Sequence, residues 1–265
     1  MYPHELFLGI HLYGVMIALG ILACFLVLYF LGKNQNIAPS FIDFTFYNAI
    51  FAIAFGFFSA TLFQATYNYI DNPEEGFTLG NGFTFIGGLI GGVATFLIVY
   101  FILRKKLSGT LLELLPIAPS CITIAHAFGR IGCAFAGCCY GMETDSAIAM
   151  YNHGAWRIPV QLYESTFLFI LFGVLTILLV KKNFKQTMPI YLVAYGIFRF
   201  VIEYFRGDER GKLFGSDLIS PSQFWSILMV VIGIALFFLL RYLYKKEELK
   251  KAETPTQKEE INEQA

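Results

Sequence analysis

Seven stretches of this chain, at about 6–31, 44–66, 84–103, 110–129, 160–180, 188–205 and 222–244, are apolar over the length a helix needs to cross a bilayer. That length is about 20 residues each, so the seven account for most of the 265 residues and leave little for a soluble domain. Composition agrees, with 57% of residues apolar and 14% charged, against about 25% charged in soluble domains. The expected fold is an all-α integral membrane protein of seven transmembrane helices. It comprises a polytopic domain over 1–244 and a charged tail over 245–265, read as a short cytoplasmic helix that dissolves into disorder. The fourth run holds Pro116 and Pro119, and prolines at membrane depth mark a kink whose freed carbonyls find partners on neighbouring helices. The first run has no Lys or Arg before Lys33, unlike the basic start of a cleaved signal peptide, and is read as a retained span.

Charge sets the orientation. Acidic and basic residues balance at 19 each, so there is no net field to attract a polyanion, and nucleic-acid binding is excluded. With alternate connections on opposite sides, one side collects Lys33, Arg104, Lys105, Lys106, Lys181, Lys182, Lys185, Arg241, Lys245, Lys246, Lys250 and Lys251. The other side has only Arg130, Arg157, Arg206, Arg210 and Lys212. The positive-inside rule then puts the N-terminus outside and the C-terminus in the cytoplasm. The inside cations are mostly lysines at span ends; the outside ones are mostly arginines among Gly, Cys, Tyr and Gln, the composition of a site.

In the sixth run, Arg199 and Glu203 are four residues apart on one helical face, with Arg206 a turn beyond. Charges within a span cost at least about 2.5 kcal/mol and face a cavity or a partner. The motif reads either as an ion pair pinning the helix or as an anion clamp with an orienting carboxylate. In the connection after the fourth run, His126, Gly129, Arg130, Gly132, Gly137 and Gly141 combine a planar guanidinium fork with a backbone open to close approach. His126 is one turn before Arg130 if the helix continues, and is otherwise a buried imidazole bonded to a neighbouring span. Gln161 and Glu164 share a face at the start of the fifth run, with Tyr163 between them; the plainer reading is a solvated helix entry. Gly87 and Gly88 begin overlapping Gly-x-x-x-Gly spacings suited to helix packing. His11 and Tyr13 put two polar side chains at outer membrane depth.

Of five cysteines, Cys133, Cys138 and Cys139 crowd one short stretch. Their spacing does not match the paired short spacings of a structural zinc site, so neither a metal nor another cofactor is expected. A Cys133–Cys138 disulfide in an oxidising compartment, inert packing and a thiolate activated by Arg130 all remain open.

In order, Tyr13-Gly14, Gly87-Gly88-Leu-Ile-Gly91, Gly129-Arg130-Ile-Gly132 with Gly141, Pro159-Val-Gln161-Leu-Tyr163-Glu164, and Arg199-Phe-x-x-Glu203-x-x-Arg206 resemble the prolipoprotein diacylglyceryl transferase family over about residues 6–240. The resemblance implies a multi-pass enzyme of the bacterial cytoplasmic membrane. It would move the diacylglyceryl group of phosphatidylglycerol, or a related glycerophospholipid, onto the lipobox cysteine of a prolipoprotein at the outer face, releasing glycerol phosphate. It implies catalytic roles for Arg130, Arg199 and Glu203, and substrate contacts for Tyr13, His11, Gly87, Gly88, Gln161, Tyr163, Glu164 and Arg206; His126, one turn before Arg130, is read as a further catalytic residue from that spacing. The four residues Arg130, Arg199, Glu203 and Arg206 are expected to converge on one cavity in the outer half of the membrane.

The chain also departs from the family pattern. The family signature Gly-Arg-x-Gly-Asn-Phe-x-Asn-x-Glu-x-x-Gly has Cys133, Ala134, Ala136 and Cys138 at its Asn, Phe, Asn and Glu positions. The family's two histidines before Gly-Gly and before Pro are Ile86 and Ile158 here, its arginine before the first tyrosine is His11, and an arginine of the second span is Phe58. Most of the phosphate-holding arginines remain while the usual base is gone, with His126 the first expected substitute, His11 the second and Cys138 the third. Other readings are a paralogue using the same donor with a different acceptor, an inactive lipid-binding protein, and a thiol oxidoreductase, the last disfavoured by the lack of a Cys-x-x-Cys pair.

Overall fold

The computed structural model describes residues 5–7, 10–80, 82–208 and 219–263. Among them, six helices are long and apolar enough to cross a membrane. They are α1 (Leu12–Asn34), α2 (Pro39–Asp71), α3 (Phe85–Leu103), α6 (Val160–Lys182), α7 (Thr187–Ile202) and α8 (Pro221–Glu263). Between α3 and α6 lie the short α4 (Leu111–Leu114), α5 (Ala118–Ala136) and a hairpin of β3 (Met150–Asn152) and β4 (Ala155–Arg157). Many large apolar side chains, among them Leu22, Phe58, Ile102, Ile170 and Phe238, point outward, as on a surface solvated by lipid.

Three boundaries differ from the sequence expectation. The first apolar run does not enter its helix at residue 6: β1 (Glu5–Phe7) pairs antiparallel with β2 (Ile10–His11), and α1 starts at Leu12. The fourth run is not one kinked helix but α4 and α5 separated by a turn at Leu115–Ile117. Pro119 sits in the first turn of α5, where a missing N–H costs nothing. The Pro116 carbonyl accepts a bond from Thr187 Oγ1 on α7 at 2.7 Å, which is how a proline-freed carbonyl is satisfied inside a bundle. Finally, α8 continues as a helix to Glu263, so the tail is helical where a dissolving end was expected.

The chain divides into two units, residues 32–113 and residues 1–31 with 114–265. In the first, α2 and α3 pack through small residues. A Cβ on Gly87 would lie 2.6 Å from Phe63 Cβ, one on Gly91 would meet Ser59, and Gly88 and Gly92 face Ala60 and the Ala52 carbonyl. Ser59 Oγ donates to the Gly87 carbonyl at 2.8 Å. The glycine stripe therefore lets two backbones approach.

In the other unit, Ala127, Leu168, Leu171, Leu175, Tyr191 and Tyr195 form a buried cluster joining α5, α6 and α7. Polar side chains bind the same helices together, with Ser165 Oγ on the Ala127 carbonyl at 2.9 Å and Thr176 Oγ1 on Ser120 Oγ at 3.2 Å. Such bonds hold helices where burying apolar area against lipid gains little.

Candidate functional site

α5 runs past the glycines expected to end it. It stops at Ala136, where Gly137 takes the left-handed conformation at φ 77° that closes many helices. His126, Arg130 and Cys133 are therefore on one helix, not in a loop. Gly132 gives α1 a close approach there, since Tyr13 and Met16 lie 3.2–3.3 Å from where its Cβ would be and would have to shift by a few tenths of an ångström to admit one. This contact brings Tyr13 beside the site, in electrostatic range of Arg130 and the three cysteines. His11 is exposed, at the end of β2 just before α1.

The centre of the site is the carboxylate of Glu164, which is fully buried and so is not at a solvated helix entry. Its Oε1 accepts from Tyr195 Oη at 2.7 Å and lies 3.1 Å from Arg130 Nε and 3.8 Å from His126 Nε2. Arg130 Nε also donates to His126 Nε2 at 3.3 Å, so the imidazole presents its lone pair to the guanidinium. The His126 ring stands edge-on to Tyr195 with centroids 5.2 Å apart. Arg199 also acts electrostatically on Glu164, so α5, α6 and α7 meet at one charge cluster. Tyr195 was not assigned a role from sequence. Its position one turn before Arg199, on the stripe shared with Glu203, was the available signal.

Arg199 Nη2 lies 2.9 Å from Glu203 Oε2, both side chains being buried. After Ile202 the chain tightens into a 3₁₀ turn, Glu203–Phe205, and leaves it extended at Arg206. Glu203 Oε1 accepts from Ser220 Oγ at 3.0 Å, and Arg206 makes a two-pronged contact to Asp208 at 2.8 and 2.7 Å. Spacing on α7 could not reveal Ser220, which arrives from the start of α8; Asp208 is two residues beyond Arg206, outside helical register. Two buried donors, Arg199 Nη1 and Arg206 Nη1, have no hydrogen-bond partner among the described residues. Orphaned guanidinium N–H groups at this depth are costly unless an anion takes them.

A small sheet-like frame holds these parts together. The segment after Cys139 pairs with both neighbours: Gly141 N donates to the Ile158 carbonyl at 3.0 Å, Met142 N to Phe205 O at 2.9 Å, and Gly207 N to Tyr140 O at 3.1 Å. A Cβ on Gly141 would fall 2.5 Å from Ile158 O and 2.8 Å from Phe205 O. Gly141→Ala is therefore expected to displace the Arg206 strand, lowering any activity of the site at least about tenfold, since a misplacement of about 1 Å can cost a hundredfold. Wild-type rate in that variant would show the frame to be slack. The β3–β4 hairpin turns at His153 and Gly154, both at positive φ, as a two-residue turn demands. Its Asn152 Nδ2 donates to the Gly137 carbonyl at 2.9 Å.

Gln161 is buried and its Nε2 donates to the Cys138 carbonyl at 2.6 Å, while Tyr163 is partly exposed. Tyr163, Ile158, Pro159, Ile202 and Phe205 line an apolar groove of about 260 Å³. The three cysteines are free thiols, all three sulfurs lying within 4.8 Å of one another. Cys139 has φ 63°, a conformation costing a non-glycine residue about 1–2 kcal/mol. Hydrogen bonds with the Cys133 and Cys138 thiols, and the Arg206 guanidinium beside it, hold the Cys139 thiol well below the usual thiol range. The same thiol contacts, with Cys133 first, push Cys138 up. Gly87 and Gly88 belong to the α2–α3 contact of the other unit.

The sequence matches the prolipoprotein diacylglyceryl transferase family over residues 4–239. It is 36% identical over 250 residues to a phosphatidylglycerol–prolipoprotein diacylglyceryl transferase of Clostridium tetani, spanning 90% of this chain and 96% of that protein. It is 33% identical over 253 residues to the Clostridium perfringens protein named as transferase 2, with 91% and 94% covered. With the Francisella tularensis enzyme of the same name it shares 31% over 268 residues, with 94% and 98% covered.

Proposed function

Because the chain belongs to the prolipoprotein diacylglyceryl transferase family, we propose that it transfers the diacylglyceryl group of phosphatidylglycerol to the cysteine thiol of a prolipoprotein. The observation that carries the reading is the pair of buried, unpartnered guanidinium donors, Arg199 Nη1 and Arg206 Nη1. A phosphodiester fits them because its two free oxygens accept charge-assisted bonds from planar forks. As the carbon–oxygen bond breaks, negative charge grows on the leaving glycerol phosphate, and fixed cations nearby stabilise it.

Other residues take supporting roles in this reading. Glu203 and Asp208 hold Arg199 and Arg206 in orientation, Ser220 fixes Glu203, and Glu164 with Tyr195 holds Arg130. His126 offers its Nε2 lone pair to Arg130, which makes it a positioning residue for that arginine in place of the general base expected from sequence. The apolar groove along Ile158, Tyr163 and Phe205 takes an acyl chain of the donor.

In the membrane, α5 counts as a seventh crossing. Its His126 and Arg130 keep it from being as apolar as the other six, but both face the bundle interior, where partners satisfy them. The N-terminus is then outside and the C-terminus in the cytoplasm, which places the arginines at the outer face of the bacterial cytoplasmic membrane. A reporter active only outside the cytoplasm should work when fused before residue 11 and fail when fused after residue 250; the reverse pattern would invert the topology.

The direct test is the purified full chain with labelled phosphatidylglycerol and a lipobox peptide, read by mass spectrometry. The expected result is a diacylglyceryl thioether on the peptide cysteine and release of glycerol phosphate. Retained lipid binding with no transfer to any thiol would mark an inactive binder and end the enzyme reading.

A further inference from the structure

We propose that Cys133, Cys138 and Cys139 form a three-thiolate site for a zinc ion, whose open fourth position takes the acceptor thiol of the transfer reaction. The sequence spacing argued against a metal, but folding removes that objection. Cys133 lies in the last turn of α5, Gly137 closes the helix with a left-handed residue, and a second left-handed residue, Cys139, bends the chain again beside Cys138. The result is three sulfurs within 4.8 Å of one another. Zinc–sulfur bonds of about 2.3 Å place tetrahedral ligands about 3.8 Å apart, so the sulfurs need to close by only about 1 Å at most to reach that spacing.

Charge and access agree with this assignment. A divalent ion with three thiolates carries one net negative charge, and the Arg206 guanidinium is in electrostatic range of Cys139, where it compensates that charge. Cys138 is exposed and Cys133 and Cys139 are partly so, so the cluster is reachable from outside, as a zinc site that binds a reactant must be. A disulfide would use two of the sulfurs and leave the third stranded beside them; a metal uses all three.

The identity of the fourth ligand rests on the transferase reading, whereas the metal site itself rests on geometry. His126 gives its lone pair to Arg130, so the acceptor thiol needs another route to thiolate, and a metal-bound thiol is deprotonated outright. The thiol proton passes to solvent as the sulfur joins the metal. That sulfur then forms a bond to the glyceryl carbon while the carbon–oxygen bond to phosphate breaks. The electron pair leaves with glycerol phosphate toward Arg199 and Arg206, and the neutral thioether departs from the metal.

The test begins with the full chain purified in detergent without chelator and assayed for bound zinc, with a single ion per chain expected. Cys133→Ser, Cys138→Ser and Cys139→Ser should each weaken retention at least about tenfold. Replacing zinc by cobalt(II) in the unaltered chain gives a readout independent of variant folding. Adding a lipobox peptide should change the cobalt visible spectrum, and the same peptide with Ser for Cys should not. An unaltered chain that transfers lipid while binding neither zinc nor cobalt, or whose cysteines are found as a disulfide, would overturn the site and leave the transferase reading intact. A chain that binds the metal and responds to the peptide, yet transfers nothing, would uphold the site and sink the transferase reading.

Discussion

Arg199→Ala is expected to lower the transfer rate by about a hundredfold to a thousandfold, the usual cost of removing one fixed donor from developing negative charge. The substitution also strips Glu203 of its 2.9 Å ion partner, and an unpaired buried carboxylate destabilises by about 3–5 kcal/mol, so loss of activity alone would be ambiguous. Arg199→Lys separates the two effects. Lysine keeps a positive charge near Glu203 and so should keep the melting temperature near wild type, but it has no planar fork and leaves no second donor for the phosphate. Its rate should still fall at least about tenfold. A lysine variant that is both stable and fully active would make Arg199 a helix pin.

Glu164→Gln should lower stability by about 3–5 kcal/mol, because it leaves the Arg130 guanidinium buried without its counter-charge. The neutral amide can still accept from Tyr195 Oη, so the α6–α7 contact survives while the α5–α6 contact weakens. Reversible unfolding of the purified chain in detergent measures the first effect. Transfer kinetics measure the second, with a fall in kcat expected as Arg130 loses its orientation. Unchanged stability would mean that Glu164 is not paired as the geometry indicates.

What the sequence disclosed, and what it hid, divides along the distance over which each feature is encoded. The apolar runs and the four-residue spacings of His126 with Arg130 and Arg199 with Glu203 are local, and they appear in the structure as contacts at 3.3 and 2.9 Å. The end of α5 was missed because Gly129 and Gly132 lower helix propensity, whereas here Gly132 is the place where α1 presses against the helix. Glu164 was read as a headgroup contact near a helix start, with a solvated helix entry as the alternative; its full burial comes with its contacts to Arg130 and Tyr195, which belong to two other helices. Ser220 and Asp208 join the site from outside the helical register of α7. The mutual approach of the three cysteine sulfurs was hidden for a related reason, since linear spacing does not show a helix end followed by a left-handed residue.

The backbone frame around Gly141 bears on how a family such as this one diverges. Gly129, Arg130, Gly132 and Gly141 keep the signature's outline, and the structure shows the two outer constraints to be steric: Gly132 against Tyr13 and Gly141 against two carbonyls. The cysteines between them, Cys133, Cys138 and Cys139, are not glycines held by a backbone clash of that kind. Selection can therefore exchange the chemical equipment inside the signature while the scaffold inherits its shape unchanged.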